Sequence, residues 1–471
     1  MIWTYSMWLT LRKKLTSLLR HTKTTSRLVK KLRLNNIVGM QIQTHSTPSI
    51  SEGMVISHLR MLAPYTEKLQ KALEDNDYTL PEALLRTPFD TEVLETICKN
   101  TERFSEKTKT VLLVGIGGSY MGTCALYDAL RGHMEHFQGT PAPKLVAFAT
   151  VDPHVLNSIT ELLAKCSSAE EIVLIVISKS GTTTESLANA NILFSQFAER
   201  FGNESANRQT IVISDANSPL TKRAVEQGML TFPIPARVGG RYSIFTAVGL
   251  VPLRILGFDI HAFLKGAQEA FTASTNTKKA SGAAVLASFL FEAYLQGARV
   301  HELFMWNPEL ETLGKWYSQL LAESIGKERD DGTAVGFTPT VALGSTDLHS
   351  IGQLIFGGRN DRYTTFVSAP TAWESGHRFS SDSPFVLPVF EGKEDGKVTR
   401  AMYEGVRNAY ATHDLPFVSI ELASVSEREL GAFMALQMTT ILFLAQLFDV
   451  NAFDQPSVEK YKNEVRRLLT S

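Results

Sequence analysis

A carboxylate that helix packing does not require is the first residue in this sequence that could carry out chemistry. Residues 307 to 327 have apolar side chains at the three- and four-residue spacing of one helical face, which predicts a helix from about Pro308 to Gly326. Glu323 falls in the last turn, where the negative end of the helix dipole disfavours a carboxylate. Gln319 lies one turn earlier on the same stripe. Glu323 is therefore a candidate acid or base, and a solvated glutamate without a function is the alternative.

A glycine-rich loop follows an apolar, strand-like run. Gly115 to Ser119 (GIGGS) opens a helix near Met121, where free N–H groups and the helix dipole favour an anion. The loop is not a P-loop, because no Lys-Ser or Lys-Thr pair follows it, and Tyr120 stands where a dinucleotide fingerprint has its third glycine. A tight turn between a strand and a helix is the alternative interpretation.

A second loop carries more polar groups. Ser178 to Thr184 (SKSGTTT) supplies five hydroxyl groups and one lysine directly after the apolar run EIVLIVI. Ligands bind at the carboxyl ends of strands in open parallel sheets. Hydroxyl groups with one lysine suit a phosphate monoester better than a bare carboxylate. The pattern therefore predicts a phosphate site, with an ordinary Ser/Thr loop as the alternative.

The elements that must position these residues alternate between strand and helix, which indicates an α/β fold with parallel sheets. At 471 residues and 52.1 kDa, two domains are expected. Predicted strands lie near residues 111–115, 144–151, 171–178, 209–214 and 229–235, and again near 299–306, 340–345, 362–369 and 416–423; predicted helices of the second set lie at 308–325, 346–356 and 426–448. The predicted segments are a basic leader (1–39), a helical preface (40–107), a first domain (108–258) and a second domain with a C-terminal helix (259–471).

Composition bounds the class of protein. Apolar residues make up 44% and charged residues 20%, as in soluble globular proteins, and no window approaches the roughly 20 apolar residues of a membrane span. Cys98, Cys124 and Cys166 are far apart and match neither a disulfide framework nor a metal spacing. That pattern suits a reducing compartment, so we expect a cytoplasmic protein with no membrane partner.

The N-terminal 39 residues differ from the rest. They hold nine of the 47 basic residues and no acidic one, which leaves 38 basic against 48 acidic residues in the remaining chain. An acidic body argues against nucleic acid as a partner. The leader has the composition of a transit peptide, and translation from Met40 is an equal alternative.

Six motifs in order resemble the glucose-6-phosphate isomerase family over about residues 50 to 465. The resemblance implies two tandem sugar-isomerase α/β domains, each a parallel sheet flanked by helices. The motifs are GIGGS (115–119), SKSGTTTES (178–186), GGRYS (239–243), SQLLAESIGK (318–327), GSTDLHSIGQLI (344–355) and FDQPSVEKYK (453–462).

The resemblance implies a role for residues in the two loops. Gly118 and Ser119 match positions that touch the sugar phosphate. Ser178, Ser180 and Thr183 match those that hold the phosphate group.

It also implies roles around the reacting carbons. Arg241 would stabilise negative charge, Gln319 would contact substrate, and Glu323 would be the catalytic base. His349 would help to open the sugar ring, assisted by Lys462. The family is typically dimeric, with the histidine reaching the site from the neighbouring subunit, so a homodimer with shared active sites is expected.

The implied reaction moves a proton between C2 and C1 of a hexose 6-phosphate through an enediolate. It needs one base, a group that stabilises negative charge and an acid/base pair that opens the ring, and it needs no metal or other cofactor. His133 and His136 lie in a polar stretch and are expected to face solvent rather than bind zinc. His301 is expected to be an interior histidine without a catalytic role.

One departure and two alternatives remain. Ser457, preceded by Pro456, stands where the family motif usually has Gly or Ala, although the spacing to Lys462 is kept. A non-catalytic sugar-phosphate sensor would keep the hydroxyl loop and lose the base. An enzyme acting on an amino sugar phosphate would need a glutamine-hydrolysing N-terminal nucleophile, and the sequence shows none.

Overall fold

The computed structural model describes residues 39–45, 50–75, 78–104, 106–132, 142–385 and 387–470. Residues 1 to 38 of the predicted leader, together with His133 and His136, lie outside the described residues. The strands are β1 (Gln41–His45), β2 (Thr110–Val114), β3 (Lys144–Phe148), β4 (Ile172–Ile177), β5 (Thr210–Ser214), β6 (Leu230–Pro233), β7 (Val300–Met305), β8 (Lys327–Glu328), β9 (Ala334–Val335), β10 (Thr338–Leu343), β11 (Arg362–Ser368) and β12 (Phe417–Glu421).

Helices surround these strands. They are α1 (Glu52–Glu74), α2 (Thr91–Thr101), α3 (Met121–Arg131), α4 (Pro153–Lys165), α5 (Thr184–Phe201), α6 (Asn203–Arg208), α7 (Pro219–Glu226), α8 (Ala247–Ile255), α9 (Ile260–Ser274), α10 (Gly282–Leu295), α11 (Glu311–Ile325), α12 (Leu348–Gly357), α13 (Asp395–Thr412), α14 (Glu427–Phe448) and α15 (Glu459–Thr470).

The first sheet has the order β3-β2-β4-β5-β6, and all its strands are parallel. All five strands lie at the predicted apolar runs. Every residue of β4 is buried, because helices cover both faces of the sheet. The strand order reverses between β2 and β4, and a crevice opens at such a point. The glycine loop follows β2 and the hydroxyl loop follows β4, so the topology brings the two loops together.

The second sheet has the order β1-β12-β11-β7-β10 and is parallel except for β1. The sequence analysis placed residues 41–45 in a helical preface, and that prediction was wrong. This segment forms an antiparallel edge strand because it pairs with β12, and its one apolar residue, Ile42, is buried against the core. Helix begins only at Glu52.

A layer of long helices forms much of the core. The helices α9 and α10 pack against α14, and α1 packs against α10 and α14. Among the described residues, α14 is the one helix long and apolar enough to cross a membrane, and 94% of its apolar window is buried within the protein. A helix that is apolar on all sides and buried in this way is a core helix.

Candidate active site

The helix α11 carries Glu323, and its apolar face anchors it. A short 3₁₀ turn, Pro308–Leu310, precedes the helix, and Gly326 follows its last residue, as predicted. The residues predicted to share one face are all buried, namely Leu310, Leu313, Tyr317, Leu320, Leu321 and Ser324. Burial of this face fixes the rotation of the helix, so the neighbouring stripe with Gln319 and Glu323 points towards Arg241 and the glycine loop.

Glu323 is paired on both carboxylate oxygens. Gln319 Nε2 donates to its Oε1 at 2.9 Å, and Arg241 Nη1 donates to its Oε2 at 3.2 Å. The Glu323 side chain keeps 33% of its surface exposed, whereas that of Arg241 keeps 1%. The guanidinium therefore offsets the unfavourable helix dipole at this position, while one side of the carboxylate stays open to a ligand.

The guanidinium of Arg241 has five N–H groups, and the described residues satisfy all of them. Besides Glu323, its acceptors are Ser324 Oγ at 2.8 Å and Gln455 Oε1 at 2.9 Å. Its Nη2 donates to the carbonyl oxygens of Ala452 and, at 3.1 Å, Asp454. Arg241 thus sits beside the candidate base as a fixed positive charge without a spare donor.

The glycine loop lies against this cluster. Gly117 has φ +58°, and a Cβ there would lie 2.8 Å from Gln319 Nε2. A Cβ on Gly118 would lie 2.1 Å from the carbonyl oxygen of Gly240. Glycine is therefore required at both positions, because the backbone approaches α11 and the segment carrying Arg241. Gly118 itself packs on backbone, and its neighbour Ser119 faces a cavity.

In the hydroxyl loop, one predicted residue supports another. Ser178 is buried, its hydroxyl group donates to Thr183 Oγ1 at 3.0 Å, and it accepts from the Thr183 N–H at 3.4 Å. Ser180 accepts from Thr182 at 2.9 Å. The hydroxyl groups of Ser180 and Thr183 line the cavities described below, whereas Ser178 lies behind them.

The same loop opens an 18-residue helix. Thr183 precedes the first residue of α5, and its side chain does not cap the helix. The N–H groups of the first turn are thus available to an anion. Lys179, the lysine of the motif, donates instead to the carbonyl oxygens of Ala236 at 2.7 Å and Val238 at 2.9 Å. Burial lowers the pKa of Lys179, and its role here is to brace the loop.

Two adjoining cavities join these groups. A cavity of about 510 Å³ is lined by Gly117, Ser180, Thr183, Gln319, Glu323, Gln455 and Lys462. A second, of about 580 Å³, is lined by Ser119, Ser180, Thr183, Gln455 and Lys462. Glu185 and Asp215 also line these spaces, one in each. The structure therefore brings together the candidate base, both loops and Lys462.

Lys462 and His349 have different positions. Lys462 lies on α15 and its Nζ is 2.9 Å from Glu459 Oε1. It faces the cavities despite the Pro456–Ser457 departure, because those residues form a 3₁₀ turn, Pro456–Val458, that leads into α15. His349 lies in the first turn of α12, is exposed, and lines neither cavity. A single chain thus assembles every predicted catalytic side chain except His349.

Several contributing residues were not singled out from the sequence. Gln455 bonds Arg241 and lines both cavities. Tyr242 shares the Ser324 hydroxyl at 2.8 Å and stands under the Arg241 guanidinium, 5.1 Å from ring centroid to Cζ. The sequence marked these two residues only by placing them inside the GGRYS and FDQ motifs. It did not indicate which residues they contact. Gln319 Oε1 is a buried oxygen with no partner among the described residues, so it can accept a substrate hydroxyl.

Other predicted interior residues are where the pattern placed them. His301 is buried, with ring nitrogens 2.9 Å from Thr365 Oγ1 and 3.1 Å from Tyr317 Oη. The three cysteines are free thiols.

Comparison with known proteins assigns the family. The family model described as phosphoglucose isomerase matches residues 98–470. Glucose-6-phosphate isomerases of Clostridioides difficile and Streptococcus thermophilus are 31% and 30% identical, each over 81% of this chain and 84% of the relative. A hypothetical protein from Thermus thermophilus superimposes with a TM-score of 0.75 at 28% identity, over 88% of this chain and 96% of that one.

A glucose-6-phosphate isomerase from Chlamydia trachomatis also has a TM-score of 0.75, at 17% identity, over 92% of this chain and 89% of its own. That likeness supports the fold, which is an α/β fold with two sugar-isomerase-type sheets flanked by helices. The family match covers both sheets apart from β1, and it includes all six motifs. The chain therefore belongs to the phosphoglucose isomerase family.

Proposed function

We propose that this chain interconverts glucose 6-phosphate and fructose 6-phosphate with Glu323 as the base that carries the proton between C2 and C1. This is the reaction of its family, a step of glycolysis and gluconeogenesis. The observation that carries the assignment of Glu323 is its open carboxylate edge, which faces the cavity that the anion-binding loop also lines.

The phosphate end of the substrate would bind at the hydroxyl loop. Ser180 and Thr183 offer hydroxyl groups, and the first turn of α5 offers N–H groups and the positive end of its dipole. Lys462, across the cavity, adds a positive charge. Bound there, a hexose phosphate extends its first carbons towards Gln319 and Glu323.

The proton transfer needs no covalent intermediate. Glu323 removes the proton from one carbon, the pair of electrons forms the enediolate, a proton passes between the oxygens on C1 and C2, and Glu323 returns its proton to the neighbouring carbon. Arg241 supplies a fixed positive charge beside this centre, and because its donors are all occupied we assign it a field effect rather than a direct hydrogen bond to substrate. Gln319 Oε1 and Gln455 orient substrate hydroxyl groups.

A direct assay tests the reaction. Purified protein is incubated with fructose 6-phosphate in D₂O, and glucose 6-phosphate and deuterium at C2 are measured. We expect both to appear, because the transferred proton exchanges with solvent. Absence of both in folded protein would refute the proposed function, and binding of the sugar phosphate without turnover would favour a sensor.

Ring opening would involve Lys462 together with His349 of a second copy. His349 is exposed and lies away from the cavities of its own chain, so a homodimer in which the histidine enters the neighbouring site accounts for its position. An imidazole is suited to both accepting and donating a proton near neutral pH.

Mixing two inactive proteins tests this shared site. We expect His349→Ala and Glu323→Ala variants, mixed and allowed to exchange subunits, to recover part of the activity, because some hybrid sites hold both groups. Subunit exchange is checked with differently tagged chains. Verified exchange without recovered turnover would show that His349 and Glu323 do not meet across subunits.

We also propose that the protein acts in the cytoplasm. The three unpaired cysteines and the substrate chemistry support this location. Imaging a tagged chain with and without residues 1–39 tests the proposal, and import into an organelle would contradict it.

A further inference from the structure

The loop of residues 451–455 connects the core helix α14 to the segment that carries Lys462. Two hydrogen bonds of the Asn451 side chain lie within the loop. Its Nδ2 donates to Asp454 Oδ2 at 2.9 Å, and its Oδ1 accepts from the Phe453 N–H at 2.9 Å. The backbone carbonyl groups of the loop, however, turn towards two cations of other elements.

Lys327 is the second of these cations, after Arg241. It directly follows Gly326 at the end of the helix that carries Glu323, and 9% of its side chain is exposed. Its Nζ donates to the carbonyl oxygens of Asn451 and Asp454 and to the Asp454 carboxylate. An ammonium group has three donors, so all of them hold this one loop.

Both cations donate hydrogen bonds to backbone carbonyl groups of the loop. The carbonyl oxygen of Asp454 accepts from both Lys327 and Arg241, and that of Ala452 accepts from Arg241. Burial lowers the pKa of Lys327, while the hydrogen bond and charge of Asp454 raise it. A buried ammonium group is retained when its attraction to such acceptors offsets the cost of desolvation.

The next residue, Gln455, faces the reacting centre. It bonds Arg241, and the 3₁₀ turn that follows it leads into α15. Gln455 and Lys462 then line the 510 Å³ cavity with Glu323, whereas Lys327 does not line it. The position of both cavity residues therefore depends on where loop 451–455 is held.

We propose that Lys327 is a positioning residue for the isomerisation, which holds loop 451–455 so that Gln455 and Lys462 face Glu323. The proposal rests on the function proposed above. We expect Lys327 to affect turnover more than binding, because the hydroxyl groups of the loop that would hold the phosphate make their hydrogen bonds within that loop and none to residues 451–455 in the described chain.

The primary test is Lys327→Met, which keeps the length of the side chain and removes its donors. We expect kcat to fall about 10- to 100-fold, as displacement of positioned groups by an ångström does, with a smaller change in KM. Lys315→Met is the matched control, because Lys315 lies on α11, the helix that precedes Lys327, is more than half exposed and pairs with Glu311. That variant should keep the parental kcat.

A second variant and a second measurement complete the test. Asp454→Ala removes the carboxylate on the loop side, and in a double-mutant cycle with Lys327→Met the two losses of kcat should be less than additive. Hydrogen–deuterium exchange of the amides of residues 451–458 should accelerate in Lys327→Met and stay unchanged in Lys315→Met.

The outcomes separate this proposal from the proposed function. A parental kcat in Lys327→Met, additive losses, or unchanged amide exchange in the loop would each overturn the role of Lys327. An inactive parental protein would instead refute the isomerase assignment of this site, and amide exchange would still report on the loop.

Discussion

The two ends of the cavity differ in the charge of their groups and in how many of their hydrogen-bond donors are free. At the hydroxyl loop, the loop's own groups that face the cavity are uncharged, with the Ser180 and Thr183 hydroxyl groups and the first turn of α5 left open, and Lys462 adds a charge from across the cavity. At Glu323, by contrast, a carboxylate and a guanidinium are already paired, and every donor of Arg241 is used. The hydroxyl-loop end keeps donors free for a ligand, whereas at the Glu323 end all the donors of Arg241 are used before substrate arrives.

The difference follows from what each end must do. A phosphate group is charged before it binds, so neutral donors that are left open in the empty site are suited to hold it. A transient enediolate exists only during the reaction, so its stabilising charge must already be fixed in place. Mutations at the two ends should therefore separate binding from turnover.

Glu323→Gln should give the largest effect. Because glutamine has nearly the same shape and cannot accept the proton, we expect kcat to fall roughly 100- to 10,000-fold, the contribution of a positioned acid/base group. Gln319 and Arg241 keep most of their contacts, so KM and the thermal midpoint should change little. Turnover, deuterium exchange at C2 and thermal denaturation are measured on one preparation.

Glu311→Gln is the matched control, since it makes the same substitution in the first turn of α11, where Glu311 pairs with Lys315. It should retain parental turnover. A Glu323→Gln protein that isomerises at the parental rate would show that the base is another residue. The Glu323 end of the cavity would then not be the turnover end.

Much of this arrangement follows from the sequence, because its signals are local. Continuous apolar runs predicted the strands of the first sheet, and the spacing of apolar residues predicted α11 with the neighbouring stripe that holds Gln319 and Glu323. The fold of the crevice then follows from strand order, which no single run reveals.

The missed parts depend on distant pairing. Strand β1 has only five residues and forms by pairing with Phe417–Glu421, far along the chain. Gln455 meets Arg241 across a separation of 214 residues. The hydrogen bonds from Lys179 to the carbonyl oxygens of Ala236 and Val238 likewise could not be predicted without the fold. They show that this lysine, a candidate phosphate ligand in the sequence, holds the loop in place instead.

Ser180→Ala should give an intermediate effect at the open end. Loss of one hydrogen bond to a charged group is worth about 1.5–3 kcal/mol, so affinity for a hexose phosphate should fall about 10- to 100-fold. We expect kcat at saturating substrate to change far less, because Glu323 and Arg241 are untouched. Calorimetric binding of a hexose phosphate and steady-state kinetics measure the two quantities.

The control for Ser180→Ala is Ser158→Ala, an exposed helical serine whose hydroxyl donates to the His154 carbonyl oxygen. It should leave both quantities unchanged. A fall in kcat with unchanged affinity in Ser180→Ala would contradict the division between a binding end and a turnover end.

The smallest effect on activity concerns the support behind α11. Burial lowers the pKa of His301 from 6.5 to about 3, and its ring contacts Tyr317 of α11. Between those values the unfolded chain binds a proton that the folded chain does not. Stability is therefore lost as pH falls below about 6.5, by up to about 1.4 kcal/mol per pH unit from this residue, and it is unaffected by His301 at higher pH.

Replacing His301 by Gln removes that proton linkage while keeping a polar side chain near Thr365 and Tyr317. The decrease in the free energy of unfolding between pH 7 and pH 5 should be about 2 kcal/mol smaller in His301→Gln than in the parent, because the other titrating groups are common to both proteins. Urea denaturation at the two pH values measures it. His154→Gln, at an exposed histidine, should show the parental pH dependence.

At neutral pH, turnover of folded His301→Gln should stay close to the parental value, since the residue supports the helix from its buried face. An unchanged pH dependence in His301→Gln would mean that the folded protein already accepts a proton at this histidine, and that the support of α11 is charged like the cluster on its other side.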